Sequence, residues 1–363
     1  MPVSLWFVGI ISLSSLTLAF LNVDSFSNVK EIKHGEFSTV QQKLDVEKKY
    51  KDTIYFVGDV MLARHVEHLI NTNGTDYIFN NLEIPNIKNS YLIGNFESSI
   101  APKHVKTPNF HFQFSTNPKY INTLSEFGFT HLSLANNHSF DYGKEGYSNA
   151  FRILKESDIN AFGHPTQLST SSIEFLELKK HKIAIVGIHS LFIEPTIDNL
   201  TQTFTLAGEN SDLQIAYIHW GTEYSLKQSN TQREYAKKLI EAGADLIIGH
   251  HPHVVQGIEE IDKSLVFYSL GNFVFDQYFS KDVREGLVLA LKETDGGLAI
   301  ELLPISSKTN LAQPMFMTGI DETNFLNLLA ERSDSSLFEG ISNRKISLES
   351  TLATSTETAI MTE

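Results

Sequence analysis

The sequence contains no cysteine in its 363 residues. This absence excludes disulfides, thiolate catalysis and cysteine-ligated zinc, and it also excludes a bacterial lipoprotein anchor, which requires a cysteine. Positive charge is scarce as well, because 29 Lys and Arg stand against 43 Asp and Glu and give a formal net charge of −14. No basic patch stands out that could contact a phosphate backbone, so we expect no nucleic-acid partner.

Charge is absent altogether from residues 3–23, which are mostly Leu, Ile, Val and Phe. At about 1.5 Å per residue, a helix of this length could cross a bilayer core. We therefore predict a single N-terminal membrane anchor within residues 1–23, with the domain outside the cytoplasm at the cell membrane. The alternatives are a cleaved signal peptide, followed by secretion, and a buried core helix. Residues 24–51 are polar and mixed in charge, which predicts a linker.

From residue 53 onward, short apolar runs alternate with helix-like segments. This order predicts an α/β domain with a mixed sheet over residues 52–305. Residues 306–332 are predicted to be a C-terminal extension that contains a helix. Residues 333–363 are rich in Ser, Thr and Glu, and this composition predicts mostly disorder. Residues 110–114 alternate aromatic and polar side chains, which favours an edge strand over a stacking platform.

A run of three histidines follows the apolar residues 246–248, which are predicted to form a buried strand. Gly249 ends the run, and His250, His251 and His253 come next, with Pro252 stiffening the turn. Neutral imidazole is a common ligand of divalent metals. Three imidazoles at the end of a strand therefore predict a metal site, with a His-rich surface turn as the alternative.

Polar residues of metal-ligand type end five of the predicted strands. They are Asp59, Glu97, Asn137 with His138, His219, and His251 with His253. In open α/β sheets, ligands gather beyond the carboxyl ends of the strands. This mixture of oxygen and nitrogen donors suits Mn, Fe, Zn or Co. Because one ion needs only three or four such groups, the set predicts two divalent ions, whose chemistry would be hydrolysis or group transfer at phosphorus or at an acyl carbon.

Six motifs, in order along the chain, resemble those of the CapA family, which is linked to poly-γ-glutamate capsule synthesis. They are GDVML at 58–62, GNFE at 94–97, LSLANNH at 132–138 with DYG at 141–143, IHWG at 218–221 with EY at 223–224, GADLIIGHHPH at 243–253, and YSLGNF at 268–273. The resemblance covers about residues 54–291. It implies the fold of calcineurin-like metallophosphoesterases, a sandwich of two mixed β-sheets with helices on both outer faces.

The resemblance also implies a role for each motif residue. The implied metal ligands are Asp59, Glu97, Asn137, His219, His251 and His253. Glu97 would bridge the two ions, His138 would be the adjacent acid or charge stabiliser, and His250 remains an alternative to His251. Two departures weaken the implied phosphoesterase activity, because Met61 stands where the wider superfamily has a histidine ligand and Glu97 replaces an Asp.

Five further residues carry hypotheses with an ordinary alternative. Arg64 could bind an anionic substrate or form a surface salt bridge, and Asp141 could orient His138 or cap the following helix. Glu223 and Tyr224, just beyond His219, are candidates for substrate contact. Asn272 either closes the floor of the site or serves only the turn that contains it.

Three functions fit this sequence. The first is a membrane-anchored, metal-dependent CapA-like protein that makes, transfers or exports an anionic polymer such as poly-γ-glutamate. Its expected partners are the polymer or its precursor, the membrane and the membrane subunits of a capsule synthase. The second is a metallophosphoesterase that hydrolyses a phosphate ester. The third is a non-catalytic, metal-containing scaffold subunit of a membrane synthase, whose metal site would be saturated by protein ligands.

Overall fold

The computed structural model describes residues 50–108 and 111–348 of the chain. Their strands form two sheets, one of nine strands and one of six. The first sheet contains β1 (Thr53–Val60), β2 (Ser90–Phe96), β3 (His131–Ser133), β4 (Asn160–Phe162), β11 (Asn272–Val274), β12 (Glu285–Thr294), β13 (Gly297–Ser306), β14 (Met315–Phe316) and β15 (Lys345–Ser347). The second contains β5 (Ile173–Glu177), β6 (Lys182–His189), β7 (Leu213–His219), β8 (Leu246–His250), β9 (Ile258–Ile261) and β10 (Ser264–Phe267).

Both sheets combine parallel and antiparallel neighbours. The first has the order β14-β13-β12-β1-β2-β3-β4, with β11 also beside β1 and β15 beside β13. Its strands β1 to β4 are parallel, whereas β12 runs antiparallel to β1. The second has the order β5-β6-β7-β8-β10-β9, and β6, β7, β8 and β10 are parallel. Parallel neighbours place their carboxyl ends at one edge of each sheet.

Strand β1 shows how the sequence builds the sandwich. All eight of its residues are buried, as is usual for a strand that is covered on both faces. Because successive side chains point to opposite faces, Ile54 and Phe56 pack into the core between the two sheets. Tyr55 and Val57 pack instead into the core under the outer helices of the first sheet. A strand with apolar residues on both faces is therefore suited to the middle of a layered structure.

Five helices cover the outer faces of the two sheets. They are α1 (Arg64–Asn73), α2 (Ile121–Phe127), α3 (Gly143–Glu156), α4 (Ile197–Gly208) and α5 (Asn230–Glu241). Two further helices, α6 (Gly319–Arg332) and α7 (Phe338–Ser342), pack against the core between the sheets. Buried residues of α1, α2 and α3 pack on the first sheet, and those of α4 and α5 pack on the second. Helix α5 begins at a capping box, in which Ser229 and Gln232 each bond the other's backbone N–H. The predicted sandwich of two mixed sheets flanked by helices is confirmed.

Two predictions of local structure are wrong. Residues 111–114 of the predicted edge strand form no strand, because Phe114 packs under the first sheet and stacks on a histidine ring. The predicted disorder from residue 333 fails for the described part of that segment, where α7 and β15 form and β15 pairs with β13. Ile346 and Leu348 are buried in the core between the sheets, and this burial stabilises a segment whose average composition is polar.

The predicted anchor at residues 1–23 lies outside the described residues, and so does the linker up to residue 49. Across residues 50–108 and 111–348, no helix combines the length and the apolar composition needed to span a bilayer. The boundaries proposed for the anchor, linker, domain and C-terminal extension stay predictions.

Candidate metal centre

The predicted ligand residues meet where the carboxyl ends of parallel strands from both sheets converge. Asp59 lies on β1, Glu97 follows β2, and His219 ends β7. Asn137 follows β3, and His251 and His253 follow β8. Asp59, Glu97, His219, His251 and His253 are all buried. Strand ends that are distant in the sequence thus bring their polar side chains into one site, as the open-sheet rule predicts.

Asp59 occupies the centre of this site. Its Oδ1 accepts a hydrogen bond from Asn95 Nδ2 at 2.8 Å, and its Oδ2 accepts one from the backbone N–H of His251 at 3.3 Å. His253 Nδ1 lies 3.2 Å from Asp59 Oδ2. Burial alone would raise the pKa of Asp59, but the nearby imidazoles of His250 and His253 lower it well below its ordinary value. Asp59 is therefore held as a carboxylate, the form that binds metal.

His219 is oriented by two amides from the opposite sheet. Its Nδ1 lies 3.1 Å from Asn95 Nδ2, and its Nε2 lies 2.8 Å from Asn137 Oδ1. An amide nitrogen can only donate, so Nδ1 is the acceptor and Nε2 carries the proton. Burial, together with the nearby His251, lowers the pKa of His219 well below its ordinary value. The ring is therefore neutral, which is also the form that binds a metal.

Glu97 differs from its neighbours because it is fully buried and neither carboxylate oxygen has a hydrogen-bond partner. His253 Nε2 lies 3.6 Å and His138 Nε2 lies 3.8 Å from Glu97 Oε1. Burial raises the pKa of Glu97 well above its ordinary value. A buried carboxyl group without a donor is costly unless a cation or a donor approaches it.

The turn after β8 holds two histidines in strained backbone conformations. The φ angles are 97° at His251 and 59° at His253, in a region that non-glycine residues rarely adopt. Such conformations cost roughly 1–3 kcal/mol each and cluster at functional sites. Burial lowers the pKa of His251 to about 3. Burial would lower that of His253 too, but the carboxylates of Glu97 and Asp59 outweigh it and raise the pKa to about 9.

Asn272 holds the turn after β8 in place through its contact with His253. Its Oδ1 lies 2.9 Å from His253 Nδ1, whereas its Nδ2 donates to Gln277 Oε1 and to the carbonyl of Val283, both at 3.0 Å. The Asn272 side chain is therefore fully used in holding His253 and the loop beyond β11. This geometry favours a positioning role over the alternative, predicted from the sequence, in which Asn272 closes the floor of the site and contacts substrate.

Two groups of side chains fit a metal ion. Ligand atoms of Glu97, His251 and His253 lie within 4.8 Å of one another, and so do those of Asp59, Glu97 and His219. Glu97 belongs to both groups, and its two unpartnered oxygens are available to both. Carboxylate oxygens mixed with imidazole nitrogens match the preferences of divalent transition metals. The residues present could therefore hold a metal ion, and Glu97 is common to both candidate groups.

His250 does not belong to either group. Its ring packs against Tyr217, with centroids 4.2 Å apart, and its Nδ1 lies 3.5 Å from Asp59 Oδ1. Neither of its ring nitrogens has a hydrogen-bond partner, although the side chain is buried. The geometry favours His251 over His250 as the first ligand of this motif.

His138 borders the centre and is oriented by Asp141. Its Nδ1 lies 2.8 Å from Asp141 Oδ2, so this nitrogen carries a proton toward the carboxylate and leaves Nε2 facing Glu97. Asp141 Oδ2 also accepts from the backbone N–H of Phe114 at 2.6 Å, and the Phe114 ring stacks on His138 with centroids 3.9 Å apart. The N-cap position of α3 is occupied by Tyr142 and not by Asp141. The geometry therefore favours the orienting role for Asp141.

Arg64 forms a buried ion pair with Asp276, on side chains that are 9% and 7% exposed. Its guanidinium also donates to the carbonyl of His111 at 3.3 Å and lies 4.4 Å above the Phe114 ring. The predicted surface salt bridge is thus a buried one. Because Asp276 neutralises the charge, the predicted anion-binding role of Arg64 is weakened.

An open cleft of about 420 Å³ leads from the surface to the centre. His138 and His253 lie at its inner end, and Arg64 lines one part of the wall. Glu223 and Tyr224, the two candidates for substrate contact, also line this cleft. Tyr224 has a φ angle of 64°, and its hydroxyl accepts a hydrogen bond from Gln277 Nε2 at 3.1 Å.

Three residues of the site were missed by the sequence reasoning. Asn95 bonds both Asp59 and His219, and a signal was present, because Asn95 and Glu97 are two residues apart at the end of one strand and therefore share a face. For Asp276 and Phe114, no sequence pattern in their neighbourhood indicates a place in the site. Each reaches the site only through contacts with residues distant in sequence.

Comparison with known proteins identifies the family to which this chain is similar. Residues 53–277 match the family model of the bacterial capsule synthesis protein PGA_cap. The chain is 32% identical over 287 residues to the capsule biosynthesis protein CapA of Bacillus anthracis, across 73% of this chain and 70% of that protein. It is 29% identical over 308 residues to the PGA biosynthesis protein CapA of Bacillus subtilis, across 79% and 80%. A probable polyglutamine synthesis accessory protein of Mycobacterium tuberculosis is 21% identical over 206 residues, across 48% and 54%.

Proposed function

This chain belongs to the bacterial capsule synthesis protein family PGA_cap, and from that membership we propose that it is a metal-dependent hydrolase or transferase. It would act in the synthesis, transfer or export of an anionic capsule polymer. The names of its relatives refer to capsule, PGA and polyglutamine synthesis. A polymer of the poly-γ-glutamate kind, or its precursor, is therefore the proposed partner.

One observation carries the metal-dependent part of this proposal. Glu97 is buried, lacks any hydrogen-bond donor and belongs to both candidate ligand groups. A carboxyl group in this position has no structural role that its contacts reveal, whereas a carboxylate between two cations would be satisfied on both oxygens. The proposed ligands are Asp59, Glu97, Asn137, His219, His251 and His253.

The residues around the centre suit attack on a polarised phosphoryl or acyl group. Bound divalent ions would supply Lewis-acid stabilisation of the charge that develops on the reacting oxygens. His138 would present Nε2 as a proton acceptor at the inner end of the cleft, because Asp141 fixes the opposite nitrogen as the donor. Asn95 and Asn272 would keep His219 and His253 in the orientation that ligation needs.

We also propose that the chain is attached to the cell membrane. The apolar residues 3–23 would hold the chain at the cell membrane, with the domain outside the cytoplasm and near the membrane subunits of a capsule synthase.

The metal content of the purified full chain tests the metal-dependent part of the proposal most directly, and elemental mass spectrometry measures it. Near two equivalents of Mn, Fe or Zn are expected. The variant Glu97→Gln should lose most of both, since the shared ligand is removed.

A matched control separates ligation from folding. Glu259 is also buried but pairs with Arg233 and Tyr268, so Glu259→Gln should keep the metal content of the parent. Metal-dependent cleavage or transfer of a γ-glutamyl oligomer would support the capsule-polymer function. Turnover of phosphate esters alone would favour the metallophosphoesterase alternative. Full metal content without any turnover would favour the scaffold, and no metal after reconstitution would overturn the mechanism.

A further inference from the structure

The cleft that leads to the candidate metal centre is mainly aromatic. Six of its thirteen lining residues are Phe or Tyr. Phe114 and Phe275 are buried in its wall, whereas Phe112 and Phe279 are 77% and 67% exposed at its rim. Exposed aromatic side chains of this size, gathered around one opening, are unusual on a protein surface and mark binding sites.

The aromatic wall begins directly at the groups of the centre. The Phe114 ring stacks on His138 at 3.9 Å between centroids, and the Phe275 ring lies 4.6 Å from that of His253. Tyr224 extends the wall outward, with its ring 6.2 Å from His253 and 5.0 Å from Phe279. A ligand held by its anionic end at the centre would therefore place its next atoms against aromatic carbon.

The charges of the cleft do not suit a second anionic group. Arg64 is the only Lys or Arg among the lining residues, all of which lie in the described part of the chain. Its charge is neutralised by Asp276, and Glu223 adds a further negative charge to the wall. If one carboxylate of a polycarboxylate were bound at the centre, its other carboxylates would lose water and contact an aromatic and acidic surface. This transfer is unfavourable.

From these contacts we propose that the cleft binds a ligand with one anionic oxyacid group, phosphate or carboxylate, joined to an apolar chain. The anionic group lies at the metal centre, and the chain lies along Phe275, Tyr224 and Phe279 to the rim at Phe112. This inference rests on the proposed function, because the anionic end is held by the same centre. According to this inference, the ligand of the cleft is an anionic end group attached to an apolar chain, and not a stretch of the polymer alone.

Calorimetric titration of the full chain, reconstituted with Mn²⁺, tests this inference by binding rather than by turnover. The probes are inorganic phosphate, then methyl, propyl and hexyl phosphate, hexanoate and tri-γ-glutamate. Burial of each methylene is worth a factor of about four in affinity when complete. We expect the affinity to rise two- to fourfold per methylene from methyl to hexyl phosphate, and tri-γ-glutamate to bind more weakly than hexyl phosphate. The stronger of hexyl phosphate and hexanoate identifies the oxyacid.

Variants at the rim locate the chain. Because Phe112 and Phe279 are exposed, their double replacement by Ala leaves the core intact and should flatten the dependence on chain length without changing the affinity for methyl phosphate. Phe338→Ala is the control, since Phe338 is also exposed but lies on α7. Metal-dependent binding with no gain from chain length, or tighter binding of tri-γ-glutamate, would overturn the inference while leaving the proposed function intact. If no probe binds in the presence of Mn²⁺, both fail.

Discussion

His219 Nε2 lies 2.8 Å from Asn137 Oδ1, and this contact joins the two sheets at the candidate metal centre. His219 ends β7 of the second sheet, and Asn137 follows β3 of the first. Two ligands at about 2.1 Å from one ion, in adjacent coordination positions, place their donor atoms about 3 Å apart. The same contact could therefore be a hydrogen bond without metal and, once Nε2 has given up its proton, a shared ion with metal.

Replacement of Asn137 should separate these two roles. Asn137→Ala removes the oxygen ligand and should weaken metal binding by at least about tenfold, the lower end of the loss seen for outer-shell partners. Asn137→Asp keeps an oxygen and should retain the metal. Competition with a chelator measures both affinities. Asn160→Ala is the control, because Asn160 bonds His131 on another part of the first sheet. Equal affinity in Asn137→Ala and the parent would remove Asn137 from the ligand set.

Glu97→Gln should change the stability of the protein in an unusual way. Without metal, the variant should be as stable as the parent or more so, because a neutral amide replaces a buried carboxyl group that has no donor. With metal, the parent should gain about 2.7 kcal/mol at a concentration one hundred times the dissociation constant, and the variant should gain little. Urea unfolding with and without Mn²⁺ measures both effects. A large loss of stability in the metal-free variant would instead indicate a structural role.

The convergence of the candidate ligands could be predicted from the sequence because each ends or follows a strand of a parallel group. The carboxyl ends of such strands meet regardless of their distance in sequence, so Asp59, Glu97 and His219 required no knowledge of the loops between them. The polar tail was harder, because four apolar residues at Leu337, Ile341, Ile346 and Leu348 stabilise it, and an average composition conceals them.

The walls of the cleft could not be predicted in the same way. Arg64 and Asp276 are 212 positions apart, and their pairing depends on how the loop after β11 returns to α1. Phe114 reads as part of an edge strand when only alternation is considered. Its actual position depends on the backbone contact with Asp141, which is a tertiary contact without a local pattern.

Asp245, just before β8, should make the stability depend on pH. Burial raises the pKa of its carboxyl group to about 6, although a hydrogen bond from the Gln214 backbone lowers it in part. The unfolded value is about 3.9, so the folded state binds the proton more tightly and this group favours unfolding as the pH rises from about 4 to 6. Asp245→Asn keeps the acceptor for Gln214 and removes the charge. Urea unfolding should show a variant that is about 2 kcal/mol more stable at pH 7.5 and unchanged at pH 4. Equal differences at both pH values would contradict this origin.

Arg64 and Asp276 should behave as a structural pair that shapes the cleft. Both side chains are buried, so Arg64→Met leaves an unpaired carboxylate and should cost about 3 kcal/mol of unfolding free energy. Asp276→Asn added to this variant should recover a large part of the loss, because Asn still accepts from the backbone N–H of His65. Urea unfolding of the parent, both single variants and the double variant measures the coupling. Asp276 neutralises the charge of Arg64 in the folded protein. The affinity of the Mn²⁺-loaded chain for inorganic phosphate should therefore fall less than about threefold in Arg64→Met. A tenfold fall would correspond to roughly 1.4 kcal/mol. A fall of a hundredfold, with the coupling absent, would return Arg64 to the anion-binding role that the sequence predicted.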